Sequence, residues 1–248
     1  MRNKSTGVIV SVFLTTLLGG CASQANKDPL ESLNRGVYKF NDTADKAVIK
    51  PIAGTYKALM PSPIRSGINN FFSNINTVVS VANNLLQFKF SNAMTESGRF
   101  IINSTFGIGG LFDLAGKDGI EKHNEDFGQT LGYWGVGDGA YLVLPLLGAS
   151  SLRDTTGLIV DSWAFDPLYY IHNVPTRTGT RFAKAIDTRA QYLPASDLLD
   201  EAALDPYAYM RDAYFQRRTS QINDGEAPAL KIEDDEFSVE KPVTSAVK

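Results

Sequence analysis

The sequence is poor in side chains that do chemistry. Among 248 residues it has one cysteine and two histidines. That leaves no disulfide framework, no His or Cys pair at metal-ligand spacing, and little material for nucleophilic catalysis. His123 and His172 lie in stretches without a recognisable motif, and no G-x-S-x-G elbow occurs. Gly107-Ile108-Gly109-Gly110 lacks the preceding strand and the later acid of a dinucleotide site. Lysine and arginine are outnumbered by acids, 24 to 27, which argues against nucleic acid as a partner. A membrane-spanning helix needs about 20 continuous apolar residues, and no such run is present. The composition therefore points away from an enzyme, with no catalytic and no metal-binding residues expected.

What is there begins at the N-terminus. Arg2 and Lys4 precede Gly7 to Leu18, twelve residues without charge, and then Leu18-Gly19-Gly20-Cys21. A positive region, a short apolar region and small residues make a secretory signal. The small residues before Cys21 resemble a bacterial lipobox. That resemblance implies cleavage between Gly20 and Cys21, with S-diacylglycerol and N-acyl chains carried on Cys21 and no other cofactor. The alternative is an ordinary signal peptide that ends near a cysteine, but a lone cysteine in an exported protein has no disulfide partner. Ala22, where an aspartate would favour the inner membrane, directs the chain to the periplasmic leaflet of the outer membrane. Acyl chains at roughly 0.8 kcal/mol per buried methylene would hold it there.

The expected organisation is a signal peptide over 1–20, a lipidated tether over 21–27, one helical domain over 28–222 and a disordered acidic tail over 223–248. From Asn223 onward there are seven acids, three lysines and two prolines, with few large apolar residues to offset ordering entropy. Between the ends, Asp28-Pro29, Ser62-Pro63, Asp166-Pro167 and Asp205-Pro206 each read as an N-cap followed by proline at the first helical position. Glu31 nearly completes a capping box with Asp28. Leu30, Leu33, Val37, Phe40, Ala44 and Val48 recur at threes and fours, and no comparable period-2 run is evident, so the class is all-α.

Ser66 to Gln87 is the most informative stretch. Phe71, Phe72, Ile75, Val78, Val79, Leu85 and Leu86 fall on one helical face. The other face, including Asn74, Thr77, Ser80, Asn83, Asn84 and Gln87, carries no charge, whereas a surface helix of a soluble domain normally shows lysine and glutamate there. The apolar face is expected to meet lipid or a porin, with the asparagines at headgroup depth, on a porin wall or lining a channel. A helix buried on both sides is the alternative. Phe100 to Leu114 and Leu131 to Leu152 continue the uncharged character, with Asp113 and Asp138 as their only charges. Interrupted by glycines and Pro145, they suit helices lying in the membrane plane. Tyr133, Trp134 and Tyr141 would suit the interface, or equally a core.

Asp28-Pro29-Leu30-Glu31 with Asn34-Arg35 and Phe40-Asn41 resembles the opening signature of the VacJ/MlaA lipoprotein family. So do Asn70-Phe71-Phe72, Arg99-Phe100, Asp126-Phe127-Gly128-Gln129-Thr130-Leu131-Gly132, Arg153-Asp154, Thr188-Arg189-Ala190-Gln191 and Arg211-Asp212-Ala213-Tyr214. The likeness runs in order from Asp28 to Arg218. Two departures, Ala140 and Ala149 where the family usually has proline, restore φ freedom. The resemblance implies a ring-shaped, single-domain all-α protein of in-plane amphipathic helices around a central amphipathic channel. Phospholipids misplaced in the outer leaflet would pass through it as cargo to a soluble periplasmic carrier, beside a trimeric porin, maintaining lipid asymmetry. The rival reading is a non-transporting scaffold that anchors a porin or envelope complex.

Alternating Gly135, Gly137 and Gly139, with Asp138 and Tyr141, form the candidate channel gate: either a hinge or a tight turn that needs positive φ. Arg153-Asp154 is either a headgroup contact or a structural salt bridge. Arg211, Arg217 and Arg218 either touch phosphates at the periplasmic rim or form a solvated face.

Overall fold

The computed structural model describes residues 28–225. Gly20, Cys21, the signal segment, the 21–27 tether and the tail from 226 onward lie outside them. Among the described residues helix dominates, and the sheet is a two-stranded hairpin. The all-α class holds.

Helix α1 (Glu31–Ala44) runs through a π-helical turn (Asp45–Ile49) into α2 (Lys50–Leu59). The long α3 (Ser62–Leu86) packs along α4 (Phe90–Thr105). Short α5 (Leu114–Lys117) and α6 (Phe127–Tyr133) lead to strands β1 (Tyr141–Leu144) and β2 (Gly148–Ser151). Strand β2 continues into α7 (Leu152–Val160) and a second π-helical turn (Asp161–Phe165). A 3-10 turn (Pro167–Tyr170) precedes α8 (Val174–Ala202), which packs on α2, and α9 (Pro206–Ile222) closes on α6 and β2.

Two of the four expected caps form. Asp166 accepts from the Leu168 N–H, and Asp205 from the N–H groups of Tyr207 and Ala208. The other two do not. Ser62 already lies inside α3, after extended Pro61. Asp28 leaves α1 without a side-chain cap because its carboxylate accepts instead from Asn34 Nδ2 at 2.8 Å and from the Tyr207 hydroxyl. Asp126 caps α6 and Ser151 caps α7, neither of them marked by a following proline.

A short hairpin is set among the helices. Tyr141 pairs with Ser151 and Leu144 with Gly148, around a turn in which Leu146 takes φ +62°. Four residues are too few for alternation to register in a sequence. Two asparagines seven residues apart on α1 stand in for a third strand. Asn34 donates to the Tyr141 carbonyl and accepts from the Val143 N–H, both at 2.9 Å. Asn41 donates to the Leu144 carbonyl at 2.9 Å and accepts from the Leu146 N–H at 2.8 Å. An amide side chain offers one donor group and one acceptor, as a peptide does, so it can complete a strand edge.

Among the described residues, buried apolar side chains gather in two small clusters, with Phe72, Val79, Ala93, Ala115 and Leu168 buried apart from them. One joins Ala53 of α2 to Ile186, Ala190 and Leu193 of α8; the other gathers Tyr141 and Val143 around Tyr207 and Phe215 of α9. Helices α6 and α7 meet through Gly128 and Gly157, where a Cβ on Gly157 would come within 2.3 Å of the Gly128 nitrogen. The domain also runs slightly past its expected end: Asn223 donates to the Thr219 carbonyl, and Asp224 pairs with Lys89 at 2.6 Å.

Candidate functional site

Helix α3 is inverted relative to a helix in water. Its asparagine face points into the protein, where Asn74, Thr77, Ser80, Asn83, Asn84 and Gln87 are buried. Each amide is used. Asn74 donates to the Ser104 hydroxyl at 2.8 Å, Asn83 to Asp161 at 2.9 Å and Gln87 to Glu125 at 2.8 Å. Asn84 reaches the His123 carbonyl at 3.3 Å, and Thr130 donates to Asn83 Oδ1 at 2.8 Å. The expected setting of this face, at headgroup depth or on a channel wall, is therefore corrected: it packs against its own chain. The opposite face is the open one. Leu85 is exposed, and Phe71, Ile75, Val78 and Leu86 are half-buried. Phe72 and Val79, expected to face outward, are buried. They lie seven apart, and Val79 is one turn from Asn83, so their stripe turns inward with it.

Around α3 the interior is unusually polar. Buried polar and charged side chains outnumber buried hydrophobic ones among the described residues, while large apolar side chains cover much of the surface. On α4, Phe90, Met94 and Ile101 are all exposed, with Met94 at 78 %. Phe88 closes α3 in the left-handed conformation at φ +60° and is itself 70 % exposed.

A charge knot ties α6, α7 and α9 together. Arg218 donates to Asp126 at 2.5 and 2.6 Å and to Asp154 at 2.5 Å; Asp154 also accepts from the Tyr214 hydroxyl and from Arg153. Burial works against ionised Asp126, but the Arg218 guanidinium prevails and holds its pKa below the usual carboxylate value. Burial and the hydrogen bond to Asp154 push the Tyr214 phenol up. Asp161 differs. Burial outweighs its hydrogen bonds from the Phe127 N–H and Asn83, and its pKa rises to about 6. For Arg153-Asp154 and Arg218 the structural reading prevails. Arg217 is exposed and lines a cavity of about 380 Å³ beside this knot.

The candidate gate is tied at one end. Asp138 pairs with Arg153 at 2.7 Å, and its carbonyl accepts from the Arg153 N–H. Gly135 and Gly139 take φ +85° and +68°, whereas Gly137 has no positive φ. A Cβ would meet open space at Gly135 and Gly137, and Leu152 at Gly139. Tyr141 is corrected: fully buried against Tyr207, Tyr214 and Phe215, it belongs to a core and lines no open space. A strand places its alternate side chains inward, and Tyr141 is one of them.

His123 sits on a buried tie. Its N–H donates to Glu96 at 2.6 Å, and its ring is 3.9 Å from the same carboxylate. No metal-holding group of three His, Cys, Asp or Glu occurs among the described residues, nor does a helix long and apolar enough to cross a membrane. The roles of Asn34, Asn41 and Asp161 escaped the sequence reading. The seven-residue spacing of the first two was the available signal.

Side chains distributed this way define a helical protein with amides and charges in its interior and large apolar groups on its surface. The family model for the MlaA lipoprotein matches residues 26–221, and the chain belongs to that family. It is 38 % identical over 221 residues to the intermembrane phospholipid transport system lipoprotein MlaA of Escherichia coli, covering 86 % of this chain and 87 % of that one. The Haemophilus influenzae protein of the same name is 33 % identical over 232 residues, covering 90 % and 92 %. An uncharacterised Rickettsia felis protein is 38 % identical over 196 residues, covering 79 % and 78 %. A solved structure described as the structural basis for maintenance of bacterial outer membrane lipid asymmetry superposes with a TM-score of 0.69 at 36 % identity. It covers 79 % of this chain and 99 % of its own.

Proposed function

We propose that this chain removes mislocalised phospholipid from the outer leaflet of the outer membrane. The lipid passes through an amphipathic channel in the protein to a soluble periplasmic carrier, preserving lipid asymmetry. The protein is held in the periplasmic leaflet by the lipid on Cys21 and sits beside a trimeric porin, with Gly135, Gly137 and Gly139 gating the passage. It acts as a conduit and not as an enzyme. A phospholipid crossing unaided must carry its charged headgroup through hydrocarbon, where an isolated charge costs many kcal/mol. A body with neutral amides and paired charges inside and apolar groups outside lowers that barrier without a cofactor.

The inverted burial of α3 and its surroundings carries this reading, because water-solvated domains bury the other way. The test is transfer from liposomes. Full-length lipidated protein in donor vesicles should speed movement of labelled phospholipid to an acceptor by at least about tenfold over protein-free vesicles. A rate equal to that of protein-free vesicles, from folded and membrane-bound protein, would leave only the anchoring scaffold.

A further inference from the structure

A cavity of about 490 Å³ opens between α8, the α1–α2 junction and the hairpin tip, within the roughly 300–1,000 Å³ range of small-molecule sites. Ile49, Leu146, Leu147 and Tyr192 give it apolar walls. Its charges are unevenly matched. Arg189 holds Asp45 with two hydrogen bonds, at 2.8 and 2.7 Å, so that pair is neutral. Arg181 reaches Asp166 at 3.3 Å from an exposed position. Lys184 is half-buried and has neither a carboxylate nor a hydrogen-bond partner among the described residues. Burial lowers its pKa, and Arg181 adds to the effect while Asp166 opposes it. An ammonium held partly out of water with no carboxylate in contact, and Asp166 acting only at a distance, is a standing cost in the empty protein. An anion arriving there removes that cost.

We propose that this cavity is a phosphate subsite for phospholipid, with Lys184 and the adjacent Arg181 receiving the phosphodiester and Ile49, Leu146, Leu147 and Tyr192 flanking the acyl part. The assignment rests on the transport reading above and gives it a first contact. Free phosphate would use the same cations but none of the apolar wall, so the two sources are separable. Leu147 also lines the cavity that contains Arg217, so the hairpin tip borders both spaces.

The experiment uses full-length lipidated protein in detergent, with dihexanoyl phosphatidylglycerol and inorganic phosphate as probes. Protection of Lys184 from reductive methylation is read by mass spectrometry. The lipid should protect Lys184, and inorganic phosphate should need at least about tenfold higher concentration for the same effect. Lys184→Met should weaken lipid binding at least about tenfold while the melting temperature holds or rises, and Lys184→Arg should bind within a few-fold of the parent. A merely structural lysine would show the reverse, a lower melting temperature with unchanged lipid affinity. Equal methylation with and without lipid overturns the subsite, as does equal protection by the two probes. If vesicle transfer proceeds while Lys184 stays unprotected, the subsite fails alone. Protection of Lys184 without any transfer would mean that the transport reading has failed and the subsite has not.

Discussion

The α2–α8 arm and the body formed by α3, α4, α6, α7 and α9 are built on opposite plans. In the arm, Ala53, Ile186, Ala190 and Leu193 bury one another, with Ile49 and Tyr56 alongside, as in any water-soluble helix pair. In the body, amides, carboxylates and guanidinia face inward, and Leu85, Phe90, Met94 and Ile101 face out. The contrast follows from what each surface faces in the alternative state. Burying apolar area stabilises a fold only when the alternative is water. In the proposed setting the body's helices lie in lipid, where that drive is absent and packing and polar contacts hold them together. The arm's contact is mainly apolar, with buried Asp187 accepting from Tyr56, whereas the body adds an interior of hydrogen bonds and ion pairs to the apolar cluster around Tyr207 and Phe215.

The contrast breaks most visibly at Arg218. Arg218→Ala leaves half-buried Asp126 without its counter-charge and Asp154 with Arg153 alone, and stability in detergent should fall by about 3 kcal/mol. A loss below about 1 kcal/mol in denaturant titration would mean that the knot is ornamental. Next comes the arm. Leu193→Ala should cost about 2–4 kcal/mol. Hydrogen exchange should quicken in α2 and α8 while α3 keeps its protection; uniform quickening would erase the distinction between the two regions.

Asp161 sharpens the body's side through pH. Its pKa rises from 3.8 to about 6 on folding, so the folded protein binds this proton more tightly than the unfolded chain does. Stability from this group is therefore highest below about pH 4 and declines as pH climbs to about 6, by up to about 3 kcal/mol. Asp126, held low by Arg218, and Asp113, held low by the Gly116 N–H, Asn103 and Arg99, act in the opposite sense at lower pH. The difference between the parent and Asp161→Asn should carry the decline; parallel stability curves from pH 4 to 7 would contradict it. The smallest effects lie in the glycine loop. Gly135→Ala and Gly139→Ala should each cost about 1 kcal/mol for their positive φ, and Gly137→Ala almost nothing. On the gate reading, transfer per folded molecule falls severalfold in the first two. Transfer that merely tracks the folded fraction leaves a simple turn.

The helices and the inverted character of α3 were legible in the sequence because a 25-residue helix repeats its pattern seven times over. Its orientation was only half legible. An uncharged asparagine face is equally compatible with a channel wall and with a packed interior, and only the partners of Asn83 and Asn84 decide between them. The hairpin was hidden because Leu142-Val143-Leu144-Pro145-Leu146-Leu147 reads as one apolar run, and what makes it a hairpin lies a hundred residues away in Asn34 and Asn41. Asp28 misled for a related reason: locally it looks like a cap, and in the fold its carboxylate belongs to Tyr207 and Asn34. Within the candidate site, Asp138 could be named from its loop, but its pairing with Arg153 could not.

The central claim is that the exposed apolar surface of the body faces lipid. Hydroxyl-radical footprinting of the intact lipidated protein in phospholipid nanodiscs tests it without a mutation. Methionine is readily oxidised, and Met94 is 78 % exposed on the protein itself. In the nanodisc Met94, Phe90 and Phe106 should be oxidised at least about tenfold more slowly than their exposure dictates in water, while Tyr209 on α9 reacts at its ordinary rate. Oxidation of Met94 at the rate of a water-exposed methionine would show that the inverted face meets solvent, and the account would be wrong.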